Sequence, residues 1–257
     1  MNLIPWSRRG LAVAALTLFA AMTAGAQAQI LTVSAAVSLS ESFKDLAKVF
    51  EAQNPGATVQ LNFGGSGALL QQILRGAPVD VLATADEATM DRAQQHQVVR
   101  AADRHVFAQN SLVAIVPVGA RSAVSSLADL RTMQRVALGN PDSVPAGRYA
   151  SEAVARAGLG DVLLERRILA QNVRQVLDYV ARDEVDLGFV YGTDAALMPD
   201  KVKVAFTVAL PTPVRYPIAV VQASPEARVA QRFVDLVLSP RGQALLARHG
   251  LRPAAPR

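Results

Sequence analysis

Phe63-Gly64-Gly65-Ser66-Gly67 lies between Val59 to Phe63, which reads as a strand, and Ala68 to Leu74, which reads as a helix. Glycines let the backbone turn with φ > 0, and a turn that opens a helix leaves the first N–H groups without a partner one turn back. The helix macrodipole adds about half a positive charge at the same place. A phosphate-like or carboxylate-like anion could sit there without any lysine or arginine. Helix starts expected at Ser38, at Pro145-Ala146 and at Val173 repeat the arrangement three more times.

Outward from this turn, short apolar strands alternate with amphipathic helices, the pattern of an α/β protein with a largely parallel sheet. Leu31 to Ala36 reads as the first strand, and Phe43, Leu46, Ala47 and Phe50 recur at helical spacing behind Ser38-Leu39-Ser40-Glu41, which fits a capping box. Asp80 to Ala83 reads as a strand, with Asp86 capping the helix after it. Leu112 to Val116 is a continuous apolar strand with no helix directly behind it, which marks a crossing into a second lobe. There, Pro145 suits a first helical turn, Asn172 precedes a helix through Val173, Val176, Leu177 and Val180, and Leu187 to Tyr191 reads as a strand. Pro211, Pro213 and Pro217 mark the return crossing. The expected organisation is a signal over 1–28, a first lobe over 29–109 plus 214–257, and a second over 110–213. Each lobe is expected to hold a five-stranded mixed sheet, with residues 253–257 as a loose tail.

Arg8 and Arg9, the apolar run Leu11 to Met22 and Ala26-Gln27-Ala28 have the layout of a secretory signal cleaved after about Ala28. The run of about 12 residues is short of the roughly 20 that cross a bilayer. The chain is thus expected to be exported to the periplasm. The formal net charge of +5 falls to +3 without the signal, too mild and too scattered to favour nucleic acid or a membrane surface. With no cysteine, a disulfide framework, a thiolate metal site and a cysteine nucleophile are excluded. His96, His105 and His249 have no metal-ligand spacing.

Ala35 to Leu39, Gly64 to Ser66, Gly76-Ala77-Pro78-Val79-Asp80, Asn110 to Val113, Gly139-Asn140-Pro141 through Val144 to Gly147, and Val190 to Ala195 together resemble the molybdate-binding proteins of bacterial ABC importers. The resemblance spans nearly the whole chain after the signal. It implies a type II periplasmic binding protein: two α/β lobes, each a mixed sheet flanked by helices, with the ligand cleft between them. It also implies capture of molybdate or tungstate by Ser38, Ser66, Ala146, Val173 and Tyr191, the alanine and valine through backbone N–H. Delivery to a membrane permease follows, with a monomeric protein, no metal site and no other cofactor. Hydrogen bonds from neutral donors to a charged ligand are worth about 1.5–3 kcal/mol each, so a ring of them offsets the desolvation of a dianion. A ring made only of donors has no acceptor for a ligand O–H, which disfavours phosphate carrying a proton.

Two other readings are open at this stage. The same fold could hold another oxyanion such as sulfate. A serine esterase is the alternative from another class, because Gly64-Gly65-Ser66-Gly67-Ala68 comes within one residue of the G-x-S-x-G nucleophile elbow and His249 comes late enough to serve as base. Arg148 and Arg174, each close behind an expected contact, read as solvated helix positions.

Overall fold

The computed structural model describes residues 29–121 and 123–254, so the expected signal and the last three residues of the expected tail lie outside the described residues. In chain order the first half runs β1 (Gln29–Ala36), α1 (Ser40–Gln53), β2 (Ala57–Gly64), α2 (Ser66–Leu74), β3 (Val81–Ala83), α3 (Glu87–Gln95), β4 (His105–Asn110) and β5 (Leu112–Pro117). The second half runs β6 (Val136–Gly139), α4 (Pro145–Arg156), α5 (Gly160–Arg166), β7 (Arg167–Ala170), α6 (Val173–Ala181), β8 (Leu187–Tyr191), α7 (Gly192–Ala195), β9 (Val202–Thr207), β10 (Val214–Val220), α8 (Ala227–Leu238), α9 (Pro240–Arg248) and β11 (Arg252–Pro253).

The strands form two mixed sheets, ordered β11-β4-β10-β3-β1-β2 and β7-β6-β8-β5-β9. In the first, β1 runs parallel to β2 and β3, while β10 is antiparallel to β3 and β4. In the second, β6 runs parallel to β7 and β8, while β5 is antiparallel to β8 and β9. The chain passes from one sheet to the other at Ser111, between β4 and β5, and returns over residues 208–213 between β9 and β10.

The first sheet has six strands where the sequence pattern predicts five, because Arg252 and Pro253 pair with Gln109 and Ala108 instead of starting a loose tail. The first lobe closes around an aromatic cluster. Phe43 of α1 lies 5.9 Å from Phe107 and 6.0 Å from Phe233, and Phe50 meets Phe233 edge-on at 5.4 Å. All four are essentially fully buried, each worth about 1.5–3 kcal/mol of apolar transfer. The strand Leu112 to Val116 is buried along its whole length, as its continuous apolar run predicts. The expected capping box at Ser38 does not form. Val37–Leu39 makes a 3-10 turn, α1 starts at Ser40, and the Glu41 carboxylate turns away to Arg174.

The glycines around the opening motif serve close approach, not positive φ. Gly65 has φ −66°, and Gly64 and Gly67 also lie outside the left-handed region. A Cβ on Gly67 would come within 2.8 Å of Ser143 Cα and 2.9 Å of its carbonyl oxygen, on the facing lobe. One on Gly65 would crowd the carbonyls of Gln171 and Ser143 at 3.1 Å. Gly147 is tight for a different reason, since its Cβ would meet the Gly139 carbonyl oxygen of its own lobe at 1.8 Å.

The two positions therefore separate stability from closure. Gly147→Ala should destabilise the fold by about 3 kcal/mol, the upper range for overpacking, in urea unfolding. Gly67→Ala, whose clash exists only when the lobes meet, should keep the unfolding midpoint and enlarge the radius of gyration measured by X-ray scattering. Equal unfolding midpoints for the two variants would contradict this assignment.

Candidate functional site

Three helices of eight or more residues point their N-termini at one place between the lobes. Ser66 is the first residue of α2, Ala146 the second of α4 and Val173 the first of α6. Sequence explains each start. Gly65 gives α2 its extended N-cap, Pro145 occupies the first turn of α4, and the Asn172 side chain caps α6 by accepting from Gln175 N–H at 3.0 Å. First-turn N–H groups have no intrahelical acceptor. Among the described residues, those of Ser66, Ala146 and Val173 meet no protein acceptor either.

These residues line a small cavity together with Ser38 from the turn before α1 and Tyr191 from the end of β8. All five residues expected from the resemblance are thus brought together. Ala36, Val37, Gly64, Gly65, Ala85, Val144 and Pro145 complete the lining, and no charged side chain takes part. The cavity is tight: the centre of a water-sized sphere can range over only about 10 Å³. It suits one compact group and no extended molecule. A wider hollow of about 410 Å³ near Arg121, Gln134 and Asp186 lies on the second lobe alone, and Asp186 there is already bound by the N–H groups of Gln134 and Arg135.

The two serine hydroxyls are each held from behind. Ser66 Oγ accepts from Ala85 N–H at 3.0 Å, and Ser38 Oγ lies 3.1 Å from the Tyr216 hydroxyl. Tyr191 is almost wholly buried, with its ring 5.8 Å from that of Tyr216 and its hydroxyl 3.4 Å from the Ala85 carbonyl. Burial pushes its phenol well above the ordinary value, so it remains a protonated donor. The 3.4 Å contact is long for O–H···O, which leaves the proton free for a better acceptor.

Arg148 and Arg174 are not the solvated positions that their spacing predicts. Arg148 reaches across to Asp86 of the first lobe, whose other carboxylate oxygen caps α3 through Thr89 N–H at 3.1 Å. Arg174 holds Glu41 of the first lobe and, at 2.6 Å through Nε, the fully buried Asp194 of its own lobe. A main-chain bond from Gly67 N–H to Ser143 O, 2.9 Å, also joins the lobes. Both arginines clamp the lobes outside the cavity. The sequence reading missed this because it followed each helix separately, and the partners come from the other lobe.

The esterase reading loses its base. His249 Nε2 lies 3.1 Å from Asp45 Oδ2 at the end of α9, and no histidine lines the cavity that holds Ser66. Among the described residues no cluster of His, Cys, Asp or Glu could hold a metal ion.

Two mixed α/β lobes crossed twice by the chain, closing donors from both onto one small cavity, define a type II periplasmic binding protein. Residues 31–252 match the family of bacterial extracellular solute-binding proteins, and the chain belongs to that family. It is 35% identical to the molybdate-binding protein ModA of Escherichia coli over 244 residues, 92% of this chain and 94% of that one. The periplasmic molybdate-binding protein of Azotobacter vinelandii superposes with a TM-score of 0.75 at 24% identity, covering 88% of this chain and all of that one. The sulfate-binding protein SubI of Mycobacterium tuberculosis does so with a TM-score of 0.76 at 19% identity, covering 89% and 88%. These last two likenesses show the fold alone.

Burial drives the Asp194 carboxyl up to about 6, against the pull of Arg174, whereas at Glu41 the Arg174 bond and charge outweigh burial and hold the carboxyl below its usual range. Because the folded-state value of Asp194 lies above its ordinary 3.8, its contribution to stability is fully present below pH 3.8 and is lost as pH rises to about 6. Asp194→Asn should remove up to about 3 kcal/mol of that decline, seen as a flatter plot of unfolding free energy against pH between about 4 and 6. An unchanged slope would show that Asp194 does not titrate there.

Proposed function

We propose that this chain is the extracytoplasmic capture subunit of an ABC importer for a tetrahedral oxyanion, molybdate or tungstate, which it delivers to a membrane permease as a monomer. The observation that carries this reading is the cavity between the lobes, into which three helix N-termini, two serine hydroxyls and one buried phenol converge with no charged side chain among them. Neutral donors at helix ends favour an anion, and their number suits a group offering several acceptor oxygens. The tight volume favours a compact inorganic anion over a sugar phosphate or a peptide. The likeness to the Escherichia coli protein, over nearly the full length of both chains, supports molybdate in particular.

The binding residues are Ser38 and Ser66 through their hydroxyls, Ala146 and Val173 through main-chain N–H, and Tyr191 through its phenol. The first two belong to one lobe and the other three to the facing one, so the anion itself draws the lobes together. No reaction is assigned, since Ser66 has no base and its hydroxyl already accepts from Ala85 N–H. The site needs no metal or other cofactor. In the described residues no helix is long and apolar enough to cross a membrane, and the signal read over residues 1–28 would export the chain to the periplasm.

Calorimetric titration of the mature protein against molybdate, tungstate, sulfate and phosphate tests the reading. Molybdate and tungstate should bind most tightly. Sulfate leading the series would move the assignment to sulfate, and no binding by any oxyanion would end it. Tyr191→Phe should weaken molybdate binding by about tenfold to a hundredfold, the worth of one hydrogen bond to a charged group. Unchanged affinity in that variant would remove Tyr191 from the site.

A further inference from the structure

Behind Ser38 lies a chain of buried polar groups that the oxyanion reading leaves without a role. Asn110, at the last residue of β4, is 4% exposed, and Tyr216 of β10 is fully buried. The orientation of the Asn110 amide is set by the main chain, because its Oδ1 accepts from Ser111 N–H at 2.9 Å. Nδ2 is therefore the donor end, and its two hydrogens go to Thr193 Oγ1 at 2.9 Å and to the Tyr216 hydroxyl at 3.2 Å. An amide nitrogen can only donate, so the Tyr216 oxygen accepts there. Its single proton is left for the next partner, Ser38 Oγ at 3.1 Å. The Ser38 oxygen is thereby made an acceptor from behind, and its own proton faces the cavity.

Ser66 reaches the same state by a shorter route. A backbone N–H, that of Ala85, donates to its Oγ, and a backbone N–H cannot reverse. Both serine oxygens in the cavity wall thus arrive with a lone pair filled from behind and a proton directed forward.

We infer that Asn110 and Tyr216 are positioning residues that set the polarity of the Ser38 hydroxyl, and through it the rejection of oxyanions that carry a proton. The inference rests on the oxyanion reading of the cavity and adds to it the source of one element of specificity. A serine alone is not selective, since its hydroxyl can rotate to donate to an anionic oxygen or to accept from a P–OH. Held by Tyr216, it has one lone pair filled from behind and its single proton left for the cavity, so it donates to an anionic oxygen and meets a ligand O–H only by turning that proton away from every acceptor. An unpaired polar group in a site without water is disfavoured more than a pairing is favoured, so a fixed polarity discriminates strongly. Neither residue lines the cavity.

Asn110→Asp tests this with almost no change in shape. A carboxylate accepts at both oxygens, so Ser111 N–H keeps its partner, while Thr193 and Tyr216 must turn their protons toward residue 110. The Tyr216 oxygen then accepts from Ser38, and Ser38 presents a lone pair to the cavity. The affinity of the full mature protein for molybdate should fall by at least about tenfold, and the ratio of molybdate to phosphate affinity near neutral pH, where phosphate keeps a proton, should fall by at least as much. The added charge by itself would weaken both anions together and leave that ratio unchanged. Tyr216→Phe, which cuts the chain without adding charge, should lower the ratio less than Asn110→Asp while retaining molybdate binding. Should Asn110→Asp fail to fold, judged by circular dichroism, Tyr216→Phe decides alone. A ratio equal to that of the unchanged protein in whichever variants fold, or an unchanged protein that does not prefer molybdate to phosphate, overturns the inference. If the unchanged protein binds no oxyanion at all, the reading of the cavity itself fails; if it binds and discriminates but the variants keep its ratio, only the polarity assignment fails.

Discussion

The N–H groups at the start of a helix have no acceptor inside that helix, and here three such starts are turned toward the same small volume. Each must find water, a capping side chain or a ligand. Asn172 serves Gln175 N–H and Ser143 O takes Gly67 N–H, while the N–H groups of Ser66, Ala146 and Val173 meet no protein acceptor among the described residues. Closing the lobes takes water away from these donors, and an unpaired N–H in a dry site is costly. The two crossings between the sheets leave donors carried by different lobes facing one cavity.

Charge is handled in two separate places. The cavity wall is neutral, and the dipoles directed at it are fixed by the backbone, so titration does not neutralise them. The arginines that follow two of the cavity-lining residues are used further out, Arg148 on Asp86 and Arg174 on Glu41 and Asp194. Had either guanidinium faced the cavity, any anion of suitable size would have been drawn by net charge. Paired with carboxylates, the same residues tie one lobe to the other. The close packing of Gly65 and Gly67 against Ser143 and Gln171 belongs to the same closure, since a methyl group at Gly67 would hold the donors of α2 away from those of α4.

Much of this was readable from residue order. The alternation of strands and amphipathic helices, the apolar run Leu112 to Val116, the helix starts at Ser66, Pro145 and Val173, and the cap at Asp86 each depend on neighbours within a few positions. Local chemistry decides them, because a proline in a first turn or a glycine before a helix acts on its own segment of backbone. The resemblance carried by the same segments brought Tyr191 into the set, which periodicity could not have done.

What the tertiary structure alone decided are the pairings between residues distant in sequence. Glu41 looked like a partner for Ser38 three positions back, yet it is bound by Arg174 from the other lobe, since a guanidinium offers a carboxylate more than a backbone N–H does. The glycines of Phe63 to Gly67 suggested a turn with positive φ, but their smallness is needed by a facing backbone that nothing in the local sequence announces. Asn110 and Tyr216 stand 106 positions apart and gave no signal of acting together, because the direction of a hydroxyl proton is fixed only when every partner around it is in place.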